Sequence, residues 1–94
     1  MNSHEEQHEI ALLSCIELVL MQRGNVKYNL IVAKLNSLYD ITIRDCYKHP
    51  EYLRTVLKEV SKEDYNPIID DIKMHLGDLA IEKDLVNFFK IMES

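Results

Sequence analysis

The sequence predicts an all-α fold, a compact bundle of four to five helices that forms one domain over residues 1–94. Only two Gly and two Pro occur in the chain. Because tight turns depend on these residues, the chain cannot make the many turns that an antiparallel sheet needs. Apolar residues also recur at three- and four-residue spacing through most of the chain, which is the pattern of helices with one buried face.

The first predicted helix lies between Ser3 and Gly24. Ser3 and Glu6 have the spacing of a capping box, and Gly24 can adopt the left-handed backbone that ends a helix. From Ile10 to Met21 this helix is apolar on nearly every side, and only Ser14 and Glu17 leave a thin polar stripe. Such a helix must be covered on most sides. We therefore expect it at the centre of the bundle or buried in a dimer.

The second predicted helix runs from Asn25 to Tyr39, with apolar residues at three- and four-residue spacing. Leu30 and Ala33 are expected to widen its buried face.

A short turn and a third helix are predicted next. Thr42 and Asp45 are spaced to cap one helical turn, which is expected at Cys46–Lys48. Pro50 suits the first position of a helix, because its ring already has a helical φ and its missing N–H is not needed there. A third helix is therefore expected from Pro50 onward.

The last predicted helix covers about residues 63–92 and contains Gly77. No proline enforces a stop there, so we expect a long C-terminal helix that is continuous and kinked at Gly77. The alternative is that Gly77 ends one helix and Asp78 caps the next.

The net charge is −5 and is unevenly distributed. An acidic chain does not favour broad binding to DNA. Five cations nevertheless cluster between residues 41 and 62, and they define a possible anion or nucleic-acid patch: Arg44, Lys48, Arg54, Lys58 and Lys62. The alternative interpretation is that they form ion pairs with Glu51, Glu59 and the acidic last helix.

Residues 4–8, His4-Glu5-Glu6-Gln7-His8, match the H-E-x-x-H pattern of zinc enzymes. On a helix His4 and His8 would point the same way and could hold zinc, with Glu5 as the base. The pattern lies on a first helical turn without apolar neighbours or a third ligand. A solvated acidic helix start is the favoured interpretation, so His4 and His8 are weak metal candidates. Neither a cofactor nor enzymatic activity is predicted.

The location is expected to be cytoplasmic, without membrane association. The N-terminal residues lack the basic region and the small-residue cleavage site of a signal peptide, and the longest apolar stretch, residues 10–21, is too short to span a bilayer. Cys15 and Cys46 lie far apart and form no CxxC pair, so both are predicted to be buried reduced thiols.

Residues 39–79 resemble small uncharacterised helical proteins of ammonia-oxidising archaea. The resemblance rests on Tyr39-Asp40-Ile41-Thr42-Ile43, on residues 45–53 and 56–60, and on Ile72-Lys73-Met74-His75-Leu76-Gly77-Asp78-Leu79. This pattern is distantly similar to the Nitrosopumilus output domain families, helical modules in signalling chains. The resemblance implies an archaeal, non-enzymatic interaction module, and it carries over no functional residues.

The function expected from these observations is a non-enzymatic regulatory or scaffolding module that acts through protein–protein contacts. The chain has more apolar surface than one small core should need, so self-association as a homodimer is expected, or else binding to another protein. The predicted self-interface consists of Leu12, Ile16, Val19, Phe88, Phe89 and Met92. The alternative function is a nucleic-acid-binding transcriptional regulator that uses the basic patch around residues 44–62.

Overall fold

The computed structural model describes residues 3–94, without the side chain of Ser3, so the Ser3 half of the predicted capping box lies outside the described residues. Within this range the chain forms helices and no strands, which confirms the all-α prediction. The five helices are α1 (Ser3–Gln22), α2 (Asn25–Tyr39), α3 (Pro50–Val60), α4 (Tyr65–Leu76) and α5 (Lys83–Met92). Two 3-10 turns, Ile43–Asp45 and Gly77–Ile81, join α2 to α3 and α4 to α5.

The junction of α1 and α2 is made by Gly24. Its φ is 123°, a backbone conformation that favours glycine, and its N–H donates to the carbonyl oxygen of Met21 at 3.1 Å. At the other end of α2, Asp40 takes a left-handed conformation with a φ of 56°, and its N–H donates to Asn36. Both ends of α2 therefore lie where the sequence predicts them.

The turn before α3 is held by Thr42 and Asp45. The backbone N–H of Thr42 donates to the Asp45 carboxylate at 3.0 Å, and the two residues form a capping box. The turn that they cap is Ile43–Asp45 and not the expected Cys46–Lys48. Ile43, which lies between Thr42 and Asp45, is 5% exposed and anchors the turn in the core. Helix α3 then begins at Pro50, as predicted.

The prediction of one continuous helix through Gly77 is wrong. Gly77 has φ 59° and ψ −128°, angles that the interior of an α-helix does not contain, and its N–H donates to the carbonyl oxygens of Lys73 and Met74. These bonds close α4 at Leu76. The chain reverses through the 3-10 turn, so that α5 packs against α1 and α3.

Helix α1 makes the contacts of a central helix, because α2, α4 and α5 all pack against it, while α3 packs on α2 and α5. One face of α1 is almost completely buried, and it consists of Leu12, Ile16, Val19 and Leu20. The opposite face is not covered, and Ile10, Leu18 and Met21 are 65%, 45% and 46% exposed on it. The expectation of cover on most sides of α1 is therefore only half correct.

The predicted self-interface is wrong as a surface of this fold. All six of its side chains are at most 3% exposed within the single chain: Leu12, Ile16, Val19, Phe88, Phe89 and Met92. The reason is the reversal at Gly77, which lays α5 over the buried face of α1. Between residues 3 and 94, no helix has both the length and the apolar character needed to cross a bilayer.

Candidate functional site

His8 takes part in a polar cluster that joins α1 to α5, and we call His8, Tyr47 and Asp84 the His8 cluster. Nδ1 of His8 lies 3.0 and 3.2 Å from the two carboxylate oxygens of Asp84. The Tyr47 hydroxyl donates to Oδ2 of the same carboxylate at 2.6 Å. Because an ionised carboxylate only accepts hydrogen bonds, Nδ1 must carry the proton in this contact.

The electrostatics of the His8 cluster favour an ionised Asp84. Burial acts to raise the pKa of Asp84, but hydrogen bonds from Tyr47 and His8, together with the charge of His8, lower it overall. Burial also raises the pKa of Tyr47, and so does its hydrogen bond to Asp84. The cluster is therefore a charge-assisted link between two helices.

The structure places His8 against acids and not in a metal site with His4. Nε2 of His8, its second ring nitrogen, lies 3.6 Å from a carboxylate oxygen of Glu82. In the part of the chain that the structure describes, no three His, Cys, Asp or Glu side chains converge so that they could hold a metal ion. His4 lies beside the cluster, on a shallow depression that Lys83 and Asn87 also line.

Two cations of the predicted basic patch bind the end of α5. The Arg54 guanidinium donates to the carbonyl oxygen of Ile91 at 2.9 Å and to the hydroxyl of Ser94 at 2.7 Å. The Lys58 ammonium donates to the carbonyl oxygen of Ser94 at 3.3 Å and lies 5.1 Å from the centre of the Tyr65 ring. Cations at this position stabilise the negative end of a helix.

Arg44 lies apart from Arg54 and Lys58, so the five cations do not form one continuous surface. Arg44 faces the outer side of α1, whereas Lys62 lines a depression near the start of α4 together with Lys58 and Glu59. Glu59 itself pairs with Lys34 of α2, at 2.5 Å. Glu51 lies 3.4 Å from Nδ1 of His49. This arrangement supports a nucleic-acid patch less than a single cluster would.

Helix α2 presents an exposed face without charge, which the sequence analysis missed. We call it the α2 seam, and it consists of six exposed residues: Val26, Asn29, Leu30, Ala33, Asn36 and Ser37. Val26 is 83% exposed and Leu30 is 45% exposed. Leu30 and Ala33 therefore lie outside the core, contrary to the expectation that they widen its buried face.

The charges of α2 lie beside the α2 seam and are neutralised within the chain. Lys27 and Lys34 are the only charged residues of α2. Lys27 lies 3.5 Å from a carboxylate oxygen of Asp64, and Lys34 pairs with Glu59. Apolar residues lie on two faces of α2. The sequence therefore does not reveal which of these faces the core covers.

A second feature is an open groove along the outer side of α1, which we call the α1 groove. It has a volume of about 520 Å³ and is lined by Glu6, Glu9, Ile10, Leu13, Ser14, Glu17 and Arg44. Beyond Glu17 and Arg44 a second depression of about 400 Å³ continues it, lined also by Tyr28 and Val32. The Tyr28 hydroxyl donates to the Glu17 carboxylate at 3.0 Å.

Comparison of the chain with protein-family models, curated proteins and solved structures gave no match. The resemblance to the archaeal output domain families therefore stays a prediction.

Proposed function

We propose that this protein is a non-enzymatic regulatory or scaffolding module that acts through protein–protein contacts, and that it self-associates as a homodimer through the α2 seam. The observation that carries the proposal is the seam itself, a helix face that is exposed and partly apolar and that has no charged residue. Interfaces between proteins are depleted of charged residues at their centre in the same way.

The spacing of the seam suits packing against a second helix. Val26, Leu30, Ala33 and Ser37 follow one another at intervals of four, three and four residues. Intervals of three and four residues place side chains in one row, as in the contact line of two packed helices. The seam spans 12 residues, or roughly 17 Å of helix. Its small residues, Ala33 and Ser37, let a second backbone come close.

Charge also favours a second copy on this face. The chain carries a net charge of −5, so two copies repel each other over most of their surfaces. Helix α2 contains no acidic residue, and both of its lysines are paired within the chain. A contact centred on the α2 seam therefore brings the two copies together with little repulsion. A seam of this size, built around one helix, predicts a weak dimer with a micromolar dissociation constant.

The test is light scattering coupled to size-exclusion chromatography over a dilution series from about 1 µM to 1 mM, which brackets a micromolar equilibrium. The wild-type chain should pass from the mass of one chain to that of two. Leu30→Asp should remain a monomer throughout, because a dimer formed through the seam would bury the introduced carboxylate.

Ile81→Asp is the matched control, because Ile81 is 79% exposed and lies outside the seam. It should dimerise like the wild type. A wild-type chain that stays monomeric at every concentration contradicts the self-association. If Ile81→Asp abolishes the dimer and Leu30→Asp does not, a different surface is responsible.

A further inference from the structure

The α1 groove combines an apolar floor with an acidic rim. Ile10 is 65% exposed and Leu13 is partly buried, and both line the groove. Glu6, Glu9 and Glu17 lie on the same side of α1, because their spacing of three and eight residues returns them to neighbouring positions around the helix. The groove is thus an extended surface that offers both apolar contact and negative charge.

The charges of the α1 groove are available to a partner. Within residues 3–94, neither Glu6 nor Glu9 forms an ion pair, and Glu17 accepts only the neutral Tyr28 hydroxyl. The Arg44 guanidinium also lacks an ion pair in this part of the chain. Three carboxylates against one guanidinium leave the groove with a net charge of −2.

The length of the α1 groove and the positions of its charges further restrict the kind of partner that it can bind. The rim from Glu6 to Glu17 covers three turns of helix, roughly 16 Å. Arg44 lies near the Glu17 end, where the two depressions meet. A helical partner carries partial positive charge at its N-terminus and partial negative charge at its C-terminus. It would therefore lie with its N-terminus toward Glu6 and Glu9, and its C-terminus toward Arg44.

We propose that the α1 groove binds a basic amphipathic helix of another protein, about three turns long, with apolar side chains on Ile10 and Leu13 and Lys or Arg side chains on the glutamates. Complementary charge selects this occupant. A second copy of this acidic chain, a nucleic acid and an anionic membrane would each bring more negative charge to the rim. The proposal goes beyond the self-association through the α2 seam, because it concerns a different surface and a different partner.

The probe is a fluorescein-labelled synthetic peptide of 14 residues, made of Leu and Lys in the pattern of an amphipathic helix. Binding is measured by fluorescence anisotropy at low and at physiological salt. The wild-type chain should bind it more tightly at low salt. The double variant Glu6→Lys/Glu9→Lys should weaken binding about tenfold or more, since it reverses two rim charges. Ile10→Ser should weaken it at both salt concentrations.

The matched control is Glu63→Lys/Asp70→Lys, which changes the net charge equally at two exposed residues away from the groove. It should bind the peptide like the wild type, and so should Leu30→Asp, the variant of the α2 seam. If the chain does not self-associate, the proposed binding of a basic helix is unaffected. If the peptide does not bind, the proposed self-association is likewise unaffected. Circular dichroism confirms that each variant keeps its helices.

Amide chemical shifts locate the peptide directly. Shifts that change at Glu6–Glu17 and Thr42–Arg44 support the proposal. It is overturned if the peptide does not bind the wild type at low salt, if the two double variants weaken binding equally, or if the shifts change mainly at another surface.

Discussion

The hydroxyl of Tyr65, at the first position of α4, donates a hydrogen bond of 2.5 Å to the carbonyl oxygen of Met92, at the last position of α5. Tyr65 is 5% exposed, and burial raises its pKa to about 12, although the charge of Arg54 acts in the opposite direction. Met92 is fully buried. This bond therefore satisfies a carbonyl at the end of α5 that no further helical turn can reach.

Replacing Tyr65 by Phe should lower the free energy of unfolding by about 1–2 kcal/mol, because it leaves the Met92 carbonyl without its buried donor. Urea unfolding followed by circular dichroism measures the change. Tyr52→Phe is the control, since the Tyr52 ring stacks on Tyr39 and its hydroxyl makes no hydrogen bond within residues 3–94. Equal losses in both variants would contradict this role for Tyr65.

The substitution Gly77→Ala distinguishes the observed break from a continuous helix. A methyl group at Gly77 meets no atom within 4 Å, so the penalty arises from the φ of +59° alone. We expect a loss of about 1–2 kcal/mol in the free energy of unfolding. In a continuous helix the same change would stabilise the protein by about 1 kcal/mol. The sign measured in urea unfolding therefore decides between the two, and a gain would contradict the structure.

Asp84→Asn should reduce stability near neutral pH by about 1–2 kcal/mol, because the hydrogen bonds from Tyr47 and His8 are weaker to a neutral amide. The pKa of Asp84 in the folded chain lies below its ordinary 3.8. The unfolded chain therefore takes up the proton first as the pH falls, so the contribution is complete above pH 3.8 and is lost through the lower, folded-state pKa.

Urea midpoints of wild type and Asp84→Asn, measured from about pH 7 to about pH 3, should therefore converge at the acid end. The control is Asp70→Asn, since Asp70 is exposed and makes no ion pair within residues 3–94. Its midpoints should follow those of the wild type throughout. A gap between wild type and Asp84→Asn that stays constant with pH would argue against the charge-assisted link.

The two thiols should differ in reactivity. Burial, with the charge of Asp45, raises the pKa of Cys46 to about 12, and burial also raises the pKa of Cys15, which is only partly buried. At pH 8 the thiolate fraction of Cys46 is about one in ten thousand. Ellman's reagent should label Cys15 in the folded chain and Cys46 only on unfolding. Single variants Cys15→Ser and Cys46→Ser separate the signals, and rapid labelling of Cys46 in the folded chain would contradict its burial.

The sequence predicts the first half of the fold well because the signals there act over a few residues. Gly24, the Thr42 and Asp45 pair, and Pro50 each fix the backbone next to them, and α2 and α3 begin where these residues indicate. The residues next to Gly77 do not determine its backbone conformation in this way. A glycine fits a kinked helix and a reversal equally, and the choice depends on whether Phe88 and Phe89 reach the core, a contact between distant parts of the chain.

The candidate surfaces were less predictable for the same reason. Helix α1 is apolar around most of its circumference, so its sequence does not reveal that Ile10 faces solvent while Leu12 and Ile16 are buried. The contact between His8 and Asp84 joins residues 76 positions apart. Motif spacing could suggest only that His8 pairs with His4, its neighbour along the helix.

The packing of α1 against α4 and α5 has a consequence for the protein during its synthesis. Because α4 and α5 follow α1 along the chain, the part of the apolar face that they cover stays exposed until those two helices have been synthesised. The His8 cluster completes only when Asp84 has left the exit tunnel. Nascent chains that lack α5 would expose the part of that face which α5 covers, and such exposed apolar surface favours aggregation.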